Sequence, residues 1–332
     1  MRPVLHLISD RRRRGAQVFA VQLDEALNEL GIRGEVLALD GDGEQGLDVP
    51  VAPSGWRGRR RLMSGHGLVV AHGSTTLHVA ATTVPGGFVY RSIGDPTFWL
   101  DRPRRRVMTA ARLRSARGVV ALYDAAADAL HERARVRRDR LHVIPNAVVD
   151  RDSRRTAPRP PGVPERYALY VGAMTWEKQV DRIIEAVAGT ELGLVCAGEG
   201  PLAPSLRQQG EATLGDRFLM LGPVEDPEPY HRHASVLVLA SRSEGMPGVV
   251  IEAGLAATPS VVPDVGGLRD LVVDGRSGAV VAHPTAPALT EAIANVDAHS
   301  AAMGEAALDH VAAHFTMHTV AERWAEVLDR LT

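Results

Sequence analysis

The chain repeats one pattern, in which a short apolar segment is followed by a longer segment with the spacing of an amphipathic helix. The apolar segments lie at 4–8, 35–39, 67–73, 88–94, 118–123 and 141–146, and again at 167–172, 192–198, 218–222, 236–241, 259–264 and 278–282. Strands that alternate with helices favour a parallel sheet covered on both faces. The sequence therefore predicts an α/β fold with two such sheets.

The two halves are separated by the segment 150–165, which is rich in Arg, Pro and Gly and is typical of a linker. Two α/β halves joined in this way predict a cleft between two sheets. Ligands of such folds bind where the carboxyl ends of the strands open into loops. The dinucleotide fingerprint G-x-G-x-x-G follows none of the predicted strands, which disfavours a dehydrogenase.

The formal charge of −2 is spread unevenly over the 332 residues. Residues 1–150 contain 23 arginines, no lysine and 16 acidic residues, a balance of +7, whereas the remainder carries −9. A basic half can attract an anionic substrate or a membrane surface, or it can simply be a solvated face. Aromatic residues are only 4% of the chain and do not alternate with basic ones, so no nucleic-acid partner is expected.

Three features bear on the compartment. The longest apolar runs, such as 236–240, are too short to span a bilayer, and residues 1–10 resemble a first strand more than a signal peptide. The single cysteine, Cys196, allows neither an internal disulfide nor a cysteine-based metal site. We therefore expect a cytoplasmic protein, and the arginine-rich half leaves a peripheral contact with the inner face of the membrane open.

Two carboxylates, Glu244 and Glu252, stand eight residues apart in the segment SEGMPGVVIEAGLA at 243–256. Glu244 follows a predicted strand, and the two glycines after it allow a ligand to approach the backbone closely. Pro247 suits the first turn of the next helix, whose N–H groups can hold a phosphate. Glu252 lies about 7–8 Å further along the axis. Its apolar neighbours predict a buried carboxylate, which is costly without a partner. The spacing suits a ligand with a sugar at one end and a ribose at the other.

This segment resembles the E-x7-E signature of retaining glycosyltransferases with the GT-B fold, in particular glycosyltransferase family 4. Further segments resemble that family in the right order: 8–31, 143–150, 170–186, 197–201, 221–226 and 264–281. The resemblance implies a GT-B architecture, two Rossmann-like domains facing across a cleft. It implies an acceptor-side domain at 1–155 and a donor domain at 165–315. The amphipathic final helix, within 316–332, would return to the first domain as a strut.

The resemblance also implies the ligands and their contacts. The donor would be a UDP-, GDP- or ADP-type sugar, with no cofactor and no metal. Glu244 would hold the transferred sugar, Glu252 the ribose, and Lys178 the diphosphate. The base would lie near Gly198, Glu199 and Val224. The implied catalytic residues are Glu244, Lys178 and Asp95. The full donor-binding set is Gly15, Lys178, Gly198, Glu199, Val224, Glu244, Gly245, Met246, Gly248, Val249 and Glu252, and the acceptor-side candidates are His72, Arg91 and Asp95.

Two positions depart from the family pattern. Ala173 stands where the family usually has an arginine, five residues before Lys178, so a phosphate contact is lost or comes from 11–14 or Arg91. Ile93 stands where the family often has a histidine that lines the sugar site, and Asp95 or Arg91 could take over part of that role. These departures bear on the sugar and the acceptor more than on the class of reaction.

Several candidates also admit a structural interpretation. His72 ends a predicted strand and can be a satisfied structural histidine, and Asp95 can order the turn before Pro96. Lys178 opens a helix, where a cation opposes the dipole, so its placement makes sense mainly with an anion nearby. Asp40-Gly41-Asp42 matches a metal signature of a different glycosyltransferase fold but lies in a glycine-rich turn, and the histidines show no zinc spacing.

The sequence therefore predicts a retaining, metal-independent glycosyltransferase that moves a sugar from a nucleoside-diphosphate sugar to an acceptor. A cell-surface glycan, a lipid-linked precursor and a small molecule of secondary metabolism all remain open as the acceptor. One alternative is a GT-B-type nucleotide-sugar 2-epimerase, which would yield an epimerised sugar without transfer. Another is a catalytically silent sugar-binding member, although the presence of Glu244, Lys178 and Glu252 argues against it.

Overall fold

The structure is a computed structural model that describes residues 3–41, 46–101, 103–151 and 157–332, without the side chains of 103–105. The chain forms two compact units. The first comprises Met1–Val149 and Phe315–Thr332, and the second comprises Asp150–His314. Asp42 of the Asp-Gly-Asp segment lies outside the described residues, as does the stretch 152–156 of the predicted linker.

The first unit is built on a parallel six-stranded sheet in the order β2-β1-β3-β4-β5-β6. The central strands are wholly buried and apolar except for one histidine in each, as is usual for a parallel sheet covered on both faces. The strands are β1 (Val4–Ile8), β2 (Gly34–Ala38), β3 (Leu68–His72), β4 (Phe88–Arg91), β5 (Gly118–Ala121) and β6 (Leu141–Val143).

Helices connect the successive strands of this unit. In the first of them, Phe19, Leu23 and Leu27 recur every fourth residue and are buried against Val4 and Leu68 of the sheet. This spacing places one apolar stripe of the helix on the core. The helices are α1 (Gly15–Glu29), α2 (Trp56–Met63), α3 (Ser74–Thr83), α4 (Pro96–Trp99), α5 (Pro103–Arg114) and α6 (Asp124–Ala134).

The second unit is built on its own parallel six-stranded sheet, in the order β12-β11-β10-β7-β8-β9. Its strands are β7 (Tyr167–Val171), β8 (Gly193–Ala197), β9 (Phe218–Gly222), β10 (Val236–Val238), β11 (Ser260–Pro263) and β12 (Gly278–Val281). Its helices are α7 (Val180–Ala188), α8 (Ala203–Leu214), α9 (Glu228–His233), α10 (Gly248–Leu255), α11 (Leu268–Leu271), α12 (Ala286–Ala298) and α13 (Ser300–His314).

The last helix, α14 (Met317–Leu331), belongs to the first unit. The Thr316 side chain caps it by accepting a hydrogen bond from the Thr319 N–H. Its apolar positions recur at three- and four-residue intervals and enter the same cluster as α1, with Trp324 and Leu328 fully buried there. The final helix is therefore part of the core of the first unit.

Each sheet contains one point at which the strand order reverses. In the first unit this point lies between β1 and β3, and in the second between β7 and β10. Loops that leave the carboxyl ends of two such strands diverge to opposite faces and leave a crevice, which is where ligands of open α/β sheets bind. These two switch points are the places to look for sites.

Candidate active site

The switch point of the second unit brings two of the predicted catalytic residues together. The loop after β7 ends in a 3₁₀ turn, Trp176–Lys178, and the loop after β10 carries Glu244. The Arg242 N–H donates to the Glu177 carbonyl at 2.8 Å and ties the two loops together. Residues 66 positions apart thus meet at the crevice.

Lys178 and Glu244 form a direct ion pair. The Lys178 Nζ donates to the Glu244 Oε1 at 2.6 Å, a charge-assisted hydrogen bond. The side chains are 24% and 9% exposed, so the pair is partly shielded yet reachable. Lys178 is also the only lysine in the sequence. Elsewhere the chain uses arginine, whose planar fork differs from the compact ammonium of lysine.

Two glycines hold the loops around this pair. At Gly266 the backbone has a φ of +60°, and a Cβ would lie 2.1 Å from the Glu244 carbonyl oxygen. At Gly198 the φ is +135°, and a Cβ would lie 1.9 Å from the Gly172 carbonyl oxygen. A side chain at either position would push the loop away, since contacts this short require the backbone to move.

The other predicted donor-binding residues of this unit lie on neighbouring loops. The Glu199 carbonyl accepts from the Met174 N–H at 2.8 Å, which joins the loops after β8 and β7. Gly245 accepts from the Gly267 N–H at 2.7 Å, and Met246 is buried beside it. Val224 is half-buried in the loop after β9.

Helix α10 begins at Gly248, one residue later than the sequence suggested, because Pro247 is the N-cap and has an extended backbone. No side chain caps this helix start. The N–H groups of Gly248 and Val249 belong to the first turn, where the helix itself offers no acceptor. This helix start is a candidate binding place for an anion because the helix dipole also favours negative charge there.

Glu252 lies one turn into α10. Its side chain is 37% exposed, so the expectation of a buried carboxylate was wrong. The helix is apolar in sequence, but position 252 lies on its open side. The Glu252 Oε2 lies 3.8 Å from the Nε2 of His231, which is fully buried. No sequence signal marked His231, because it sits in a short helix without a recognisable motif.

Arg242 and Trp176 are two further residues that the sequence did not single out. The Arg242 guanidinium lies 5.5 Å from the centre of the Trp176 ring, and Trp176 is 62% exposed. A cation over an indole face is stabilised by the ring. Ala173, where the family arginine is missing, is exposed on the same loop, and its carbonyl accepts from the Tyr170 hydroxyl at 2.7 Å.

The switch point of the first unit holds a small pocket that is partly open to solvent. It lies between the ends of β1 and β3 and the start of α1. The Gln17 side chain donates to the Ser9 hydroxyl at 3.1 Å on one side of it. The lining residues are Ile8, Ser9, Ala16, Gln17, His72 and Ile93. Two sequence candidates, His72 and Ile93, therefore belong to this pocket.

Arg91 is buried inside the first unit, with only 2% of its surface exposed. Its Nη2 donates to the Asn146 Oδ1 at 2.9 Å, and its guanidinium carbon lies 3.6 Å from the centre of the Phe19 ring. Burial lowers the pKa of Arg91 to about 9. The Nε and Nη1 atoms have no hydrogen-bond partner among the described residues.

Asp95 and Gly15 each begin a helix of the first unit. The Asp95 Oδ1 accepts from both the N–H and the hydroxyl of Thr97, at 2.8 and 2.7 Å, as the N-cap of α4. Gly15 is the first residue of α1, and a Cβ there would meet nothing within 4 Å. The bonds to Thr97 thus explain the aspartate at position 95, whereas no described contact within the unit requires a glycine at position 15.

Within the described part of the chain, no group of three or more His, Cys, Asp or Glu residues is placed to hold a metal ion. No described helix combines the length and the apolar character needed to cross a membrane. Burial raises the pKa of the single cysteine, Cys196, to about 12, so the thiol is inert as a nucleophile.

Part of this chain is similar to known glycosyltransferases. Residues 165–298 match the family model described as Glycosyl transferases group 1, a span that contains Lys178, Glu244 and Glu252. The lipopolysaccharide core biosynthesis mannosyltransferase LpcC of Rhizobium leguminosarum bv. viciae is 39% identical over 123 residues, which are 36% of this chain and 35% of LpcC. The alpha-D-kanosaminyltransferase of Streptomyces kanamyceticus is 29% identical over 243 residues, which are 68% of this chain and 60% of that protein.

The matched part is thus 35% of the length of LpcC and 60% of the kanosaminyltransferase. Among solved structures, HepE of Anabaena in complex with UDP and glucose aligns with a TM-score of 0.85 at 18% identity, covering 99% of this chain and 100% of HepE. The predicted GT-B fold of two α/β units is confirmed. The match to the family model lies within the second unit, at residues 165–298.

Proposed function

We propose that this protein is a retaining glycosyltransferase that transfers a sugar from a nucleoside-diphosphate sugar to an acceptor hydroxyl. The observation that carries this proposal is the Lys178–Glu244 pair at the switch point of the second unit, close in sequence to the uncapped start of α10. A cation and a helix N-terminus together suit a diphosphate. A carboxylate beside them suits the hydroxyls of a sugar.

The chemistry needs charge stabilisation at the leaving group. As the glycosidic bond to phosphate breaks, negative charge develops on the diphosphate, and Lys178 with the N–H groups of Gly248 and Val249 would stabilise it. Retention follows if the departing phosphate oxygen takes the proton of the acceptor on the face where the acceptor attacks. The protein then needs no nucleophile of its own, and positioning does the rest.

Glu244 has two tasks in this proposal. Its hydrogen bond to Lys178 holds the ammonium group in place, and its carboxylate would also accept from hydroxyls of the transferred sugar. Glu252, four residues beyond Gly248 and so about 6 Å along α10, would accept from the ribose hydroxyls. Its partial exposure supports this role, because a ligand can reach it. Gly198, Glu199 and Val224 would line the base, and Gly15 would leave room for the donor.

Arg242 is our candidate for the charge that Ala173 does not supply. Its backbone is bonded to Glu177, directly before Lys178, and its guanidinium rests on Trp176. An arginine held against a ring loses less freedom when it binds an anion. The transfer would proceed without a metal because these cations and dipoles stand in for one.

The acceptor would use the first unit, with the switch-point pocket and His72 as its contacts. The basic character of this unit also leaves a peripheral membrane role open, since Phe98, Val107 and Met108 are more than half exposed on the arginine-rich α4–α5 region. The nucleotide-sugar 2-epimerase alternative is not favoured, because the two relatives described above are named as transferases.

The single lysine allows a direct test of the donor site. A limiting amount of an amine-reactive acetylating reagent would modify only Lys178 and the terminal amine, and mass spectrometry would follow both. We expect UDP, GDP or ADP, at about ten times its Kd, to slow the modification of Lys178 about tenfold, because only the free protein then reacts. The terminal amine is the internal control. A nucleotide that raises the melting temperature but leaves Lys178 fully reactive would contradict the proposal.

The stereochemical outcome needs a second measurement. With the best nucleotide sugar and a panel of hydroxylated acceptors, proton NMR of the fresh product gives the anomeric configuration. We expect the configuration of the donor. An inverted product would exclude the retaining mechanism, and an epimerised free nucleotide sugar would favour the alternative.

A further inference from the structure

Three titratable side chains, two buried imidazoles and a partly exposed carboxylate, form a contiguous chain that ends at the pocket of the first unit. Asp24 on α1 has its Oδ1 3.9 Å from the His6 Nε2, and the His6 Nδ1 lies 3.1 Å from the His72 Nε2. Both imidazoles are almost completely buried, and His72 lines the pocket. The remaining ring nitrogen of His72, Nδ1, is buried and has no hydrogen-bond partner among the described residues.

Both histidines are neutral near pH 7. Burial, together with the nearby Arg91 guanidinium, lowers the pKa of His6 to about 3 and holds the pKa of His72 well below its usual range. Each ring therefore carries one N–H and one lone pair. Only one of the two nitrogens that face each other can hold the proton of their shared hydrogen bond.

Asp24 decides which of the two arrangements is favoured. Burial and the neighbouring Glu25 raise its pKa to about 6, so it is ionised at pH 7.5. A distance of 3.9 Å is too long for a hydrogen bond, but a carboxylate still favours an N–H over a lone pair on the nitrogen that faces it. His6 then carries its proton on Nε2 and accepts at Nδ1. His72 must donate from Nε2, which leaves a lone pair on its Nδ1.

We propose that Asp24 and His6 are positioning residues that fix His72 as a hydrogen-bond acceptor, so that the pocket takes a hydroxyl group of a neutral polyol or sugar. A ligand hydroxyl can donate to the His72 Nδ1, whereas a fully ionised anion has no proton to give. The Gln17–Ser9 pair and Ile93 complete a small lining with room for one hydroxyl group of such a ligand. That this ligand is the acceptor rests on the function proposed above, whereas the tautomer does not.

The tautomer can be measured directly in the intact protein. Histidine labelled with ¹⁵N reports whether each ring nitrogen carries a proton, and His72→Gln assigns the His72 signals by their loss. At pH 7.5 we expect both His6 and His72 to be protonated on Nε2 only. A proton on the His72 Nδ1 would overturn the proposal whatever the enzyme does, so this result is separate from any failure of glycosyl transfer.

The role of Asp24 is tested by Asp24→Asn, which keeps the size and the contact with Asn28 but removes the charge. We expect a second set of His72 signals from the Nδ1-protonated form. Asp128→Asn is the matched control, because Asp128 pairs with Arg138 on the surface of the same unit and should leave the His72 signals unchanged. Identical His72 spectra in Asp24→Asn and the unaltered protein would show that Asp24 does not set the tautomer of His72.

The ligand class is tested with two probes in the same experiment. We expect myo-inositol, a neutral polyol, to shift the His72 Nδ1 signal in a saturable way, and sulfate at the same ionic strength to leave it in place. A response to sulfate but not to myo-inositol would overturn the assignment to hydroxyl groups. A His72 signal that responds to neither probe would count equally against it.

Discussion

The two switch points share one backbone arrangement but differ in charge: the side chains are ionised at one and neutral at the other. In the second unit, Lys178 and Glu244 are both charged and partly exposed, and they meet beside two loops held by glycines. In the first unit, His6 and His72 are neutral and buried, and the buried guanidinium of Arg91 is covered by Phe19. The same crevice between diverging loops thus presents full charges in one unit and a single lone pair in the other.

This difference indicates what each crevice can bind. A diphosphate needs cations and N–H groups that are already in place, because in a shielded site they stabilise developing charge far better than water does. A hydroxyl needs only one fixed acceptor, and a neutral imidazole serves that purpose at a smaller desolvation cost than a carboxylate. The comparison predicts that removing a charge lowers turnover most in the second unit. In the first unit, the expected effects are on histidine tautomers and on the stability of buried charges.

The largest effect is expected for Lys178→Ala. Loss of one preorganised charge-stabilising group should lower kcat by about 10²–10³, because Lys178 acts mainly on charge that develops as the diphosphate leaves. Steady-state kinetics with a nucleotide sugar whose nucleotide protects Lys178 from acetylation would measure this loss. Near-normal turnover in this variant would show that the second crevice does not stabilise the leaving diphosphate.

Lys178→Arg is the matched control, since arginine is the cation that the chain uses everywhere else. It keeps the charge but replaces a compact ammonium by a planar fork, so its kcat should lie between those of Lys178→Ala and the unaltered enzyme. Equal loss in both variants would mean that the shape of the lysine, and not its charge, is what the site requires.

A smaller effect is expected for Glu252→Ala. Ribose contacts are much the same in the ground and transition states, so the donor KM should rise about tenfold while kcat changes little. Glu244→Ala should show the opposite division, with kcat affected more than KM, because its partner is the sugar that changes shape. A fall in kcat for Glu252→Ala as large as for Glu244→Ala would contradict these assigned roles.

The sequence was sufficient for the strands and for the α/β class because each element carried its own signal. All twelve predicted strands are present, and their limits differ by at most a few residues, as at 88–94, where the strand ends at Arg91. There the polar turn at Gly94 and Asp95 starts α4 with its own capping bonds. The order of the strands could not be predicted, since no local pattern tells which strands are neighbours. The sequence therefore could not place the two switch points.

The site was only partly predictable for the same reason. Lys178 and Glu244 could be singled out by motif, but their contact depends on β7 lying beside β10. His6, Asp24, His231 and Arg242 carry no motif and gain meaning only from what lies next to them in space. Glu252 shows the limit of local reasoning, because an apolar helix sequence suggested burial and the helix leaves that position open.

In the first unit, the burial of Asp24 should make stability depend on pH. Its folded pKa, raised to about 6 by burial and Glu25, exceeds the ordinary value of 3.8, so the folded state holds its proton more tightly than the unfolded state. Stability from this group is therefore present below about pH 4 and is lost as the pH rises to 6. Asp24→Asn lacks this loss, so it should gain stability relative to the unaltered protein between pH 4 and pH 7.

Urea unfolding of both proteins at pH 4 and pH 7 measures this difference, and other titrating groups cancel in the comparison. Glu25 and Glu35 act on Asp24 from α1 and β2, so the measurement should be made at a fixed ionic strength. A difference in stability that does not change with pH would show that Asp24 titrates normally.

The smallest effect is expected at Asp95, where a structural and a catalytic role make different demands. The Asp95 Oδ1 caps α4 through two hydrogen bonds to Thr97, so Asp95→Ala should lower the free energy of unfolding by about 0.5–1 kcal/mol. Asparagine caps a helix about as well as aspartate does, so Asp95→Asn should keep that stability while losing the charge. We expect Asp95→Asn to keep its turnover, because the bonds to Thr97 already account for the residue. A tenfold or larger fall in kcat with unchanged stability in Asp95→Asn would instead establish a catalytic carboxylate, and the first crevice would then act through a full charge as the second one does.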